Sequence, residues 1–304
     1  MLNMYIGIAL IALPKAVSEV GFFAAAFGLV LVNMISLGAS YFLLKARNRF
    51  KKQRIIDFPD MANACFGPTT KRFCEWILIL TNTTFAMAQA MYLGGQADLF
   101  ACAWTEQPDQ CGKNRTFWSF AMIALMIPLF LIPDFKRISA FSGFFILCCV
   151  VSIICIFGFE IATLYAREHG EEMHLTYSDD TGKVLIASEA VLDTAFDYEY
   201  FNYPMFPLFL GEVLSVFEGN VGLLNLYSQQ NEPRTMMKQT ALTHIIVLAL
   251  CLAMGSLSYL SYGSLTQDIV LFNLPQGSNV ATFVALLYML NVTGSIMMQI
   301  QPIY

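Results

Sequence analysis

Apolar residues run without interruption through most of the chain and give way to polar loops at intervals. A helix that crosses a bilayer needs roughly 20 predominantly apolar residues, and the sequence offers eight runs of about that length. They cover residues about 2–20, 24–46, 73–100, 117–133, 138–165, 204–227, 239–262 and 279–302, numbered here as spans one to eight. None alternates with the two-residue period of a barrel strand, which excludes a transmembrane β-barrel. The pattern predicts an all-α polytopic membrane protein with a single transmembrane domain over residues 1–304.

Composition supports the same class. Hydrophobic residues make up 57% of the chain and charged residues 13%, and the mean hydropathy is +0.59. A soluble core of this length needs much less apolar surface. The sequence contains no nucleophile elbow, phosphate-binding loop or paired metal-ligand motif, and its three histidines are scattered. An enzyme is therefore the least supported class, and no metal is expected.

Basic residues are concentrated in the loops on one side of the predicted spans. The loops after spans two, four and six carry twelve: Lys45, Arg47, Arg49, Lys51, Lys52, Arg54, Lys71, Arg72, Lys136, Arg137, Arg234 and Lys238. The opposite loops carry four: Lys113, Arg115, Arg167 and Lys183. Short cytoplasmic loops retain Lys and Arg, so both termini are predicted on the cytoplasmic (or matrix-equivalent) side of an unspecified membrane. Because the basic residues follow this topology rule, nucleic acid is not expected as a partner.

The predicted non-cytoplasmic loop 166–203 is acidic. It holds only two cations but nine carboxylates. The carboxylates are Glu168, Glu171, Glu172, Asp179, Asp180, Glu189, Asp193, Asp197 and Glu199. Either a solvated loop or a vestibule that attracts cations accounts for this charge. On the same side, Cys102 and Cys111 share the loop before span four. They either form a disulfide in an oxidising compartment or remain free.

Span six contains the most unusual polar residues. Its middle holds Glu212, Glu218 and a Gly219–Asn220 pair. A carboxylate at membrane depth is disfavoured unless it faces protein, water or a ligand, so it marks a functional path by default. The Gly–Asn pair favours a break in the helix, and the backbone groups that a break exposes are tolerated only where they line a cavity or are buried in protein.

Span one offers a second interruption. Gly7 and Pro14 bracket a stretch in which the helix can loosen, because glycine is permissive and proline lacks a donor. A kinked packing helix would explain these two residues alone. Two interrupted helices at matching positions of two halves, however, are the best sequence indication of a transporter's binding site.

Several short motifs follow one another along the chain. They are GIALIALPKA at 7–16 followed by Gly21, DFPDMANACFGP at 57–68, IPDFKR at 132–137, FEG at 217–219 with NEPR at 231–234, and LSY at 257–259 with YG at 262–263 and NLP at 273–275. In this order they resemble the amino acid/auxin permease family of the amino acid/polyamine/organocation superfamily. Members of that family move amino acids with protons or sodium.

The resemblance implies an inverted-repeat bundle like that of the bacterial leucine transporter, with two five-helix repeats and usually eleven helices. Spans one to five would form the first repeat, and spans six to eight only part of the second, so the second repeat is incomplete. Span one also begins almost at the first residue, and a trimmed or partial chain is expected. Ile8 and Ala9 stand where the family usually has a hydroxyl residue and a second glycine.

The predicted substrate site lies between the two interruptions. The loosened backbone at Gly7, Ile8, Ala9 and Leu10, and that at Phe217, Glu218, Gly219 and Asn220, would offer N–H groups to an α-carboxylate and carbonyl groups to an amine or cation. Glu218 would bind the amine or carry a proton. A hydrogen bond that ties broken span six to a neighbour explains the same carboxylate.

A coupling-ion site is predicted on span eight. Asn291, Thr293 and Ser295 would supply oxygens to a sodium ion against span one, or would serve only as interhelical hydrogen-bonding groups. The coupling ion would thus be sodium or a proton, and no other cofactor is expected. His244 is interpreted as a satisfied helix-contact residue, whereas Glu160 and Asp98 are placed near outer span ends, where an interface would solvate them.

Two functions follow from these interpretations. The first is a secondary active amino acid transporter, proton- or sodium-coupled, that works by alternating access around interrupted helices one and six. Its partners are a small-molecule amino acid and the lipid bilayer. The alternative is a transport-inactive, permease-derived structural subunit of a larger assembly, with other membrane subunits as partners. The missing helices and the changes at Ile8 and Ala9 motivate this alternative.

Overall fold

A computed structural model describes most of the chain. The described residues are 2–50, 55–105, 115–130, 135–169, 176–178, 184–186, 195–217, 219, 222–229, 235–275 and 278–300. The α-helices are α1 Leu2–Tyr5, α2 Ile8–Val20, α3 Phe22–Arg49, α4 Phe58–Phe66, α5 Pro68–Thr105, α6 Arg115–Phe130, α7 Phe135–Glu168, α8 Phe206–Val216, α9 Leu223–Gln229, α10 Met236–Tyr262 and α11 Asn279–Ile300. Short 3-10 helices cover Gly263–Leu265 and Val270–Asn273.

Among the described residues, five helices are long and apolar enough to cross a membrane. They cover Phe22–Arg49, Pro68–Ala101, Ser142–Glu168, Met236–Leu265 and Asn279–Met297, and coincide with predicted spans two, three, five, seven and eight. Span four corresponds to the shorter α6. Spans one and six are each divided into two helices, α1 with α2 and α8 with α9. The described chain is thus a helical bundle in which two of the eight predicted spans are interrupted.

A small hairpin departs from the all-helical prediction. Strands β1 Thr176–Ser178 and β2 Val184–Ile186 pair antiparallel, with Tyr177 opposite Leu185. Both lie in the acidic loop 166–203. Their β-branched and aromatic residues favour an extended, paired backbone over a helix.

Helix α2 lies at the centre of the bundle. It packs against α3, α8 and α10, and Leu10, Ile11, Leu13 and Val17 are all buried. The outward faces of longer helices are apolar instead, as for Phe23 and Trp76, which are 62% and 72% exposed. Apolar side chains of that size on the outside are expected where lipid replaces water as the surrounding solvent.

A single residue reverses the chain between α2 and α3. Gly21 has φ 88°, in the left-handed region that only glycine adopts without strain. The backbone on both sides of it is bonded to the segment 195–203: Asn202 N–H donates to the carbonyl of Val20 (2.8 Å) and Phe22 N–H to that of Glu199 (3.4 Å). This segment therefore holds the reversal in place.

Candidate functional site

The break in span one lies at Ile6 and Gly7. Helix α1 ends at Tyr5 and α2 begins at Ile8, with Gly7 in an extended conformation. The Tyr288 hydroxyl of α11 donates to the Gly7 carbonyl oxygen (2.8 Å). The Gly7 carbonyl, which as the N-cap of α2 accepts the first bond of that helix, therefore also accepts a hydrogen bond from a side chain of span eight.

The loosened stretch is shorter than the sequence predicted. Ile8, Ala9 and Leu10 form the first turn of α2 rather than irregular backbone, and Pro14 lies inside that helix. Pro14 leaves the Leu10 carbonyl without its usual partner, but the helix continues because Leu13, Pro14 and Val17 are packed in the core. The N–H groups of a first turn have no partner within their own helix, so this turn keeps the donors that the prediction required.

The break in span six contacts the break in span one. Helix α8 ends at Val216, and α9 begins at Leu223. A Cβ on Gly219 would lie 2.8 Å from ring carbons of Tyr5, so only glycine fits there. Glu218 and Asn220 lie outside the described residues, and their roles stay predictions.

His244 of α10 joins the two breaks. Its Nδ1 lies 2.9 Å from Asn33 Oδ1 on α3, and its Nε2 lies 3.4 Å from the Tyr5 hydroxyl. Because an amide oxygen can only accept, Nδ1 carries the hydrogen and Nε2 accepts from Tyr5. Phe217 stacks on the imidazole, with ring centroids 5.8 Å apart and planes at 5°. The interpretation of His244 as a satisfied helix-contact residue is confirmed.

Polar side chains from α5 and α11 surround the break at Gly7. Asn291 and Ser295 lie one helical turn apart on α11, and both are fully buried. A Cβ built on Gly7 would lie 3.3 Å from Ser295 Oγ and 3.5 Å from Gln89 Nε2. Tyr92 of α5 meets Tyr288 edge to face at 6.4 Å. We call Gly7, Gln89, Tyr92, Asn291 and Ser295 the polar cluster.

Several atoms of the polar cluster lack a partner within the described part of the chain. They are both side-chain polar atoms of Asn291, the hydroxyl of Ser295 and that of Tyr92. Each buried polar group left unpaired costs about 1–3 kcal/mol. Concentrating several of them at a helix break is unfavourable for folding alone and is typical of a site that binds something polar.

The predicted ion ligands separate into two groups. Asn291 and Ser295 face the break, where amide and hydroxyl oxygens suit a hard cation such as sodium or an ammonium group. The Thr293 hydroxyl instead donates to the Met289 carbonyl in its own helix (2.9 Å). Two residues correspond to about 200° around a helix, so Thr293 cannot share a face with Asn291. Elsewhere in the described chain, no three His, Cys, Asp or Glu side chains are grouped as metal ligands.

Sequence reasoning missed Gln89, Tyr92, Tyr288 and Tyr5. A usable signal existed for Gln89, since a glutamine in the middle of an apolar run requires a polar partner. The tyrosines carried no such signal because an apolar run tolerates them without a hydrogen-bond partner.

Two further predictions have different outcomes. Glu160 and Asp98 are 0% and 3% exposed, so the expectation that an interface solvates them is wrong. Their helices, α5 and α7, extend beyond the predicted spans, and Ser258 and Ser261 of α10 pack on Glu160. The disulfide stays a prediction, since Cys111 and the side chain of Cys102 lie outside what the structure describes.

The motif at 57–68 forms a charged helix start. The Asp57 carboxylate accepts from the N–H of Asp60 (2.7 Å) and so caps α4, and Lys71 donates to Asp60 (2.8 Å). Partial burial raises the pKa of Asp57. Burial also acts to raise the pKa of Asp60, but the hydrogen bonds from Lys71 and from the Ile56 N–H outweigh it and hold that pKa below its ordinary value. This pair fixes α4 against the beginning of α5.

A family described as transmembrane amino acid transporter protein matches residues 1–304. "Vacuolar amino acid transporter 3" of Saccharomyces cerevisiae is 22% identical over 302 residues, which are 99% of this chain and 40% of the relative. The protein of the same name in Schizosaccharomyces pombe is 21% identical, with 99% and 41% covered. "Amino acid transporter ANT1" of Arabidopsis thaliana is 20% identical over 300 residues, with 96% and 62% covered.

The chain spans about two fifths of the length of the yeast relatives. These relatives are transporters rather than enzymes, and the long apolar helices are those of an integral membrane protein. The resemblance that the motifs carried is thereby confirmed. Because the family match covers every residue, the chain belongs to the transmembrane amino acid transporter family.

Proposed function

We propose that this chain carries the substrate site of a secondary active amino acid transporter, in which the amino acid binds beside the break at Gly7. The observation that supports this most directly is the polar cluster, whose Asn291, Ser295 and Tyr92 hold buried polar atoms without a partner among the described residues. The transporter names of the relatives support the same substrate class.

Two sets of groups match the two ends of an amino acid. The N–H groups of Ile8, Ala9 and Leu10 have no partner within their own helix and lie at the N-terminus of α2, where the helix dipole favours an anion such as the α-carboxylate. The oxygens of Asn291 and Ser295 favour a cation, either the α-ammonium group or a coupling ion. Glu218 would serve the ammonium group or carry a proton, as the sequence indicates.

Alternating access would occur around the two breaks. Helices α1 and α9 are only four and seven residues long, and a break separates each from its longer partner. Such short segments can tilt while α2 and α8 stay packed in the core. We place both termini of the chain on the cytoplasmic side on the basis of the distribution of Lys and Arg.

Reconstituted liposomes provide the test. The whole protein is expected to take up a labelled amino acid when a proton or sodium gradient is imposed. Asn291→Leu should reduce uptake at least tenfold, because leucine keeps the volume and removes both polar atoms. Thr293→Val, on the same helix but with its hydroxyl bonded internally, should leave uptake unchanged. Equal uptake by the Asn291→Leu variant and the wild type would exclude the site.

One observation favours the second function, a structural subunit that does not transport. Side chains already contact both breaks, Tyr288 at the Gly7 carbonyl and Tyr5 at Gly219. On this proposal the intact protein shows no uptake and purifies from its native membrane in fixed ratio with unrelated membrane subunits. Uptake by the protein alone would exclude it.

A further inference from the structure

Glu160 is a buried carboxyl group outside the polar cluster. It lies on α7, eight residues or about 12 Å before that helix ends at Glu168, and it is fully buried. Ser258 of α10 donates to its Oε1, and Ser261 donates to its backbone carbonyl (3.0 Å). Its Oε2 has no hydrogen-bond partner in the described part of the chain.

No described cation neutralises this carboxyl group. The nearest basic residue along α7 is Arg167, two turns further on. Its guanidinium group is directed away, to the Tyr198 hydroxyl (2.7 Å), the Leu260 carbonyl (3.0 Å) and the ring of Phe196 (4.5 Å).

The other titratable groups near Glu160 in the described part of the chain are neutral or acidic. Helix α10 presents Tyr259 and the fully buried Tyr262, and the segment 195–203 contributes Asp197, Tyr198 and Glu199. Helix α1 contributes only Tyr5, and α11 has no titratable side chain between 278 and 287. An ionised carboxylate in this surrounding would be buried without a counter-ion, which is strongly unfavourable.

We propose that Glu160 binds the proton that drives amino acid transport. In the arrangement described, Glu160 is a neutral carboxylic acid with its hydrogen on Oε2, and Ser258 bonds the other oxygen. When α7 and α10 separate, water reaches the group, the O–H bond breaks, and the proton passes to water and leaves a carboxylate. This inference rests on the proposed function and names its coupling ion.

Helix α10 connects this proton to the two breaks. Ser258 lies 14 residues after His244 on the same continuous helix, about 21 Å along its axis. Protonated Glu160 lets α10 pack closely on α7, whereas the carboxylate requires hydration and opens that contact. The resulting movement of α10 displaces His244 and with it Tyr5 and Phe217. Protonation and access to the polar cluster are thereby linked through one rigid element.

Glu160→Gln tests the proposal in liposomes that contain the whole protein. Glutamine keeps the shape and the hydrogen bond from Ser258 but cannot release a proton. Exchange of internal for external amino acid needs no net proton release and should remain within twofold of the wild type. Uptake driven by a pH gradient should fall at least tenfold and lose its pH dependence. Glu75→Gln, which replaces a partly exposed carboxylate of α5, should change neither rate.

Two results would overturn the inference. One is gradient-driven uptake by Glu160→Gln with the pH profile of the wild type; the other is loss of exchange and uptake together, which would indicate a structural role. Infrared spectroscopy separates failure of the proposed function from failure of this inference. A protonated-carboxyl band that is present in the wild type and absent from Glu160→Gln supports the proton site even if neither protein transports. Absence of that band from the wild type refutes it.

Discussion

Replacing His244 by phenylalanine is expected to loosen the contact between the two helix breaks without removing the ring that fills it. Phenylalanine keeps the stack on Phe217 but cannot donate to Asn33 or accept from Tyr5. Leaving the buried Asn33 oxygen without its donor costs about 1–3 kcal/mol, and we take roughly 2 kcal/mol as the central value. His244→Ala also removes the stack and leaves a cavity, which adds about another 2 kcal/mol.

Hydrogen exchange of α1 is the direct assay, because Tyr5 attaches this helix to His244. The Ile6 N–H, bonded to the Leu2 carbonyl at 3.0 Å, should exchange roughly 30-fold faster in His244→Phe, since 1.4 kcal/mol corresponds to a factor of ten. The unfolding temperature should be highest for the wild type, lower for His244→Phe and lowest for His244→Ala. His169→Ala, at an exposed histidine stacked on Tyr165, is the matched control and should change neither measurement.

Unchanged exchange at Ile6 in both His244 variants, with a lowered unfolding temperature, would refute the reasoning. His244 would then stabilise the bundle generally, and something else would hold α1 against the break in span six.

Three further predictions concern the breaks and the α4 cap. Gly219→Ala forces a Cβ to 2.8 Å from the Tyr5 ring and should destabilise the protein by about 1–3 kcal/mol in thermal unfolding, whereas Gly211→Ala, with open space around it, should not. Tyr288→Phe removes the hydrogen bond to the Gly7 carbonyl and should cost about 1 kcal/mol and raise the KM for uptake; an unchanged KM would separate Tyr288 from the substrate site. Because the folded-state pKa of Asp60 is lowered, its stabilisation is present above the ordinary value of 3.8 and is lost as pH falls through the folded pKa. Asp60→Asn should therefore weaken the fall of the free energy of unfolding with decreasing pH, as measured by acid unfolding. The difference should be less than about 1 kcal/mol, since the partner Lys71 is partly exposed.

The interruptions could be predicted from the sequence because their cause is local. Glycine and the Gly–Asn pair act on the backbone at their own positions, and the breaks lie at Gly7 and around Gly219. The local argument fails at Pro14, because the surrounding packing keeps the helix intact through a residue that disfavours it. Local propensity proposes a break, and tertiary contacts decide whether it forms.

The polar cluster could be predicted only in part. Asn291 and Ser295 were identifiable as polar residues in an apolar run, but their neighbours Gln89 and Tyr92 are some 200 residues away in sequence. Helical periodicity indicates which residues share a face and not which helix that face meets. The burial of Glu160 was missed for a similar reason, because it depends on how far α7 continues beside α10.

The reversal at Gly21 restricts how this bundle can move. A connection of one residue is too short to absorb movement, so a change in the tilt of α2 at that end must also move α3. The hydrogen bonds at Val20 and Phe22 couple the segment 195–203 to the same motion. Helices α2 and α3 therefore move together as one unit, because their connection at Gly21 is rigid. A more flexible joint lies at the opposite end of α2, at Ile6 and Gly7, which belong to neither helix although the Ile6 N–H still bonds the Leu2 carbonyl.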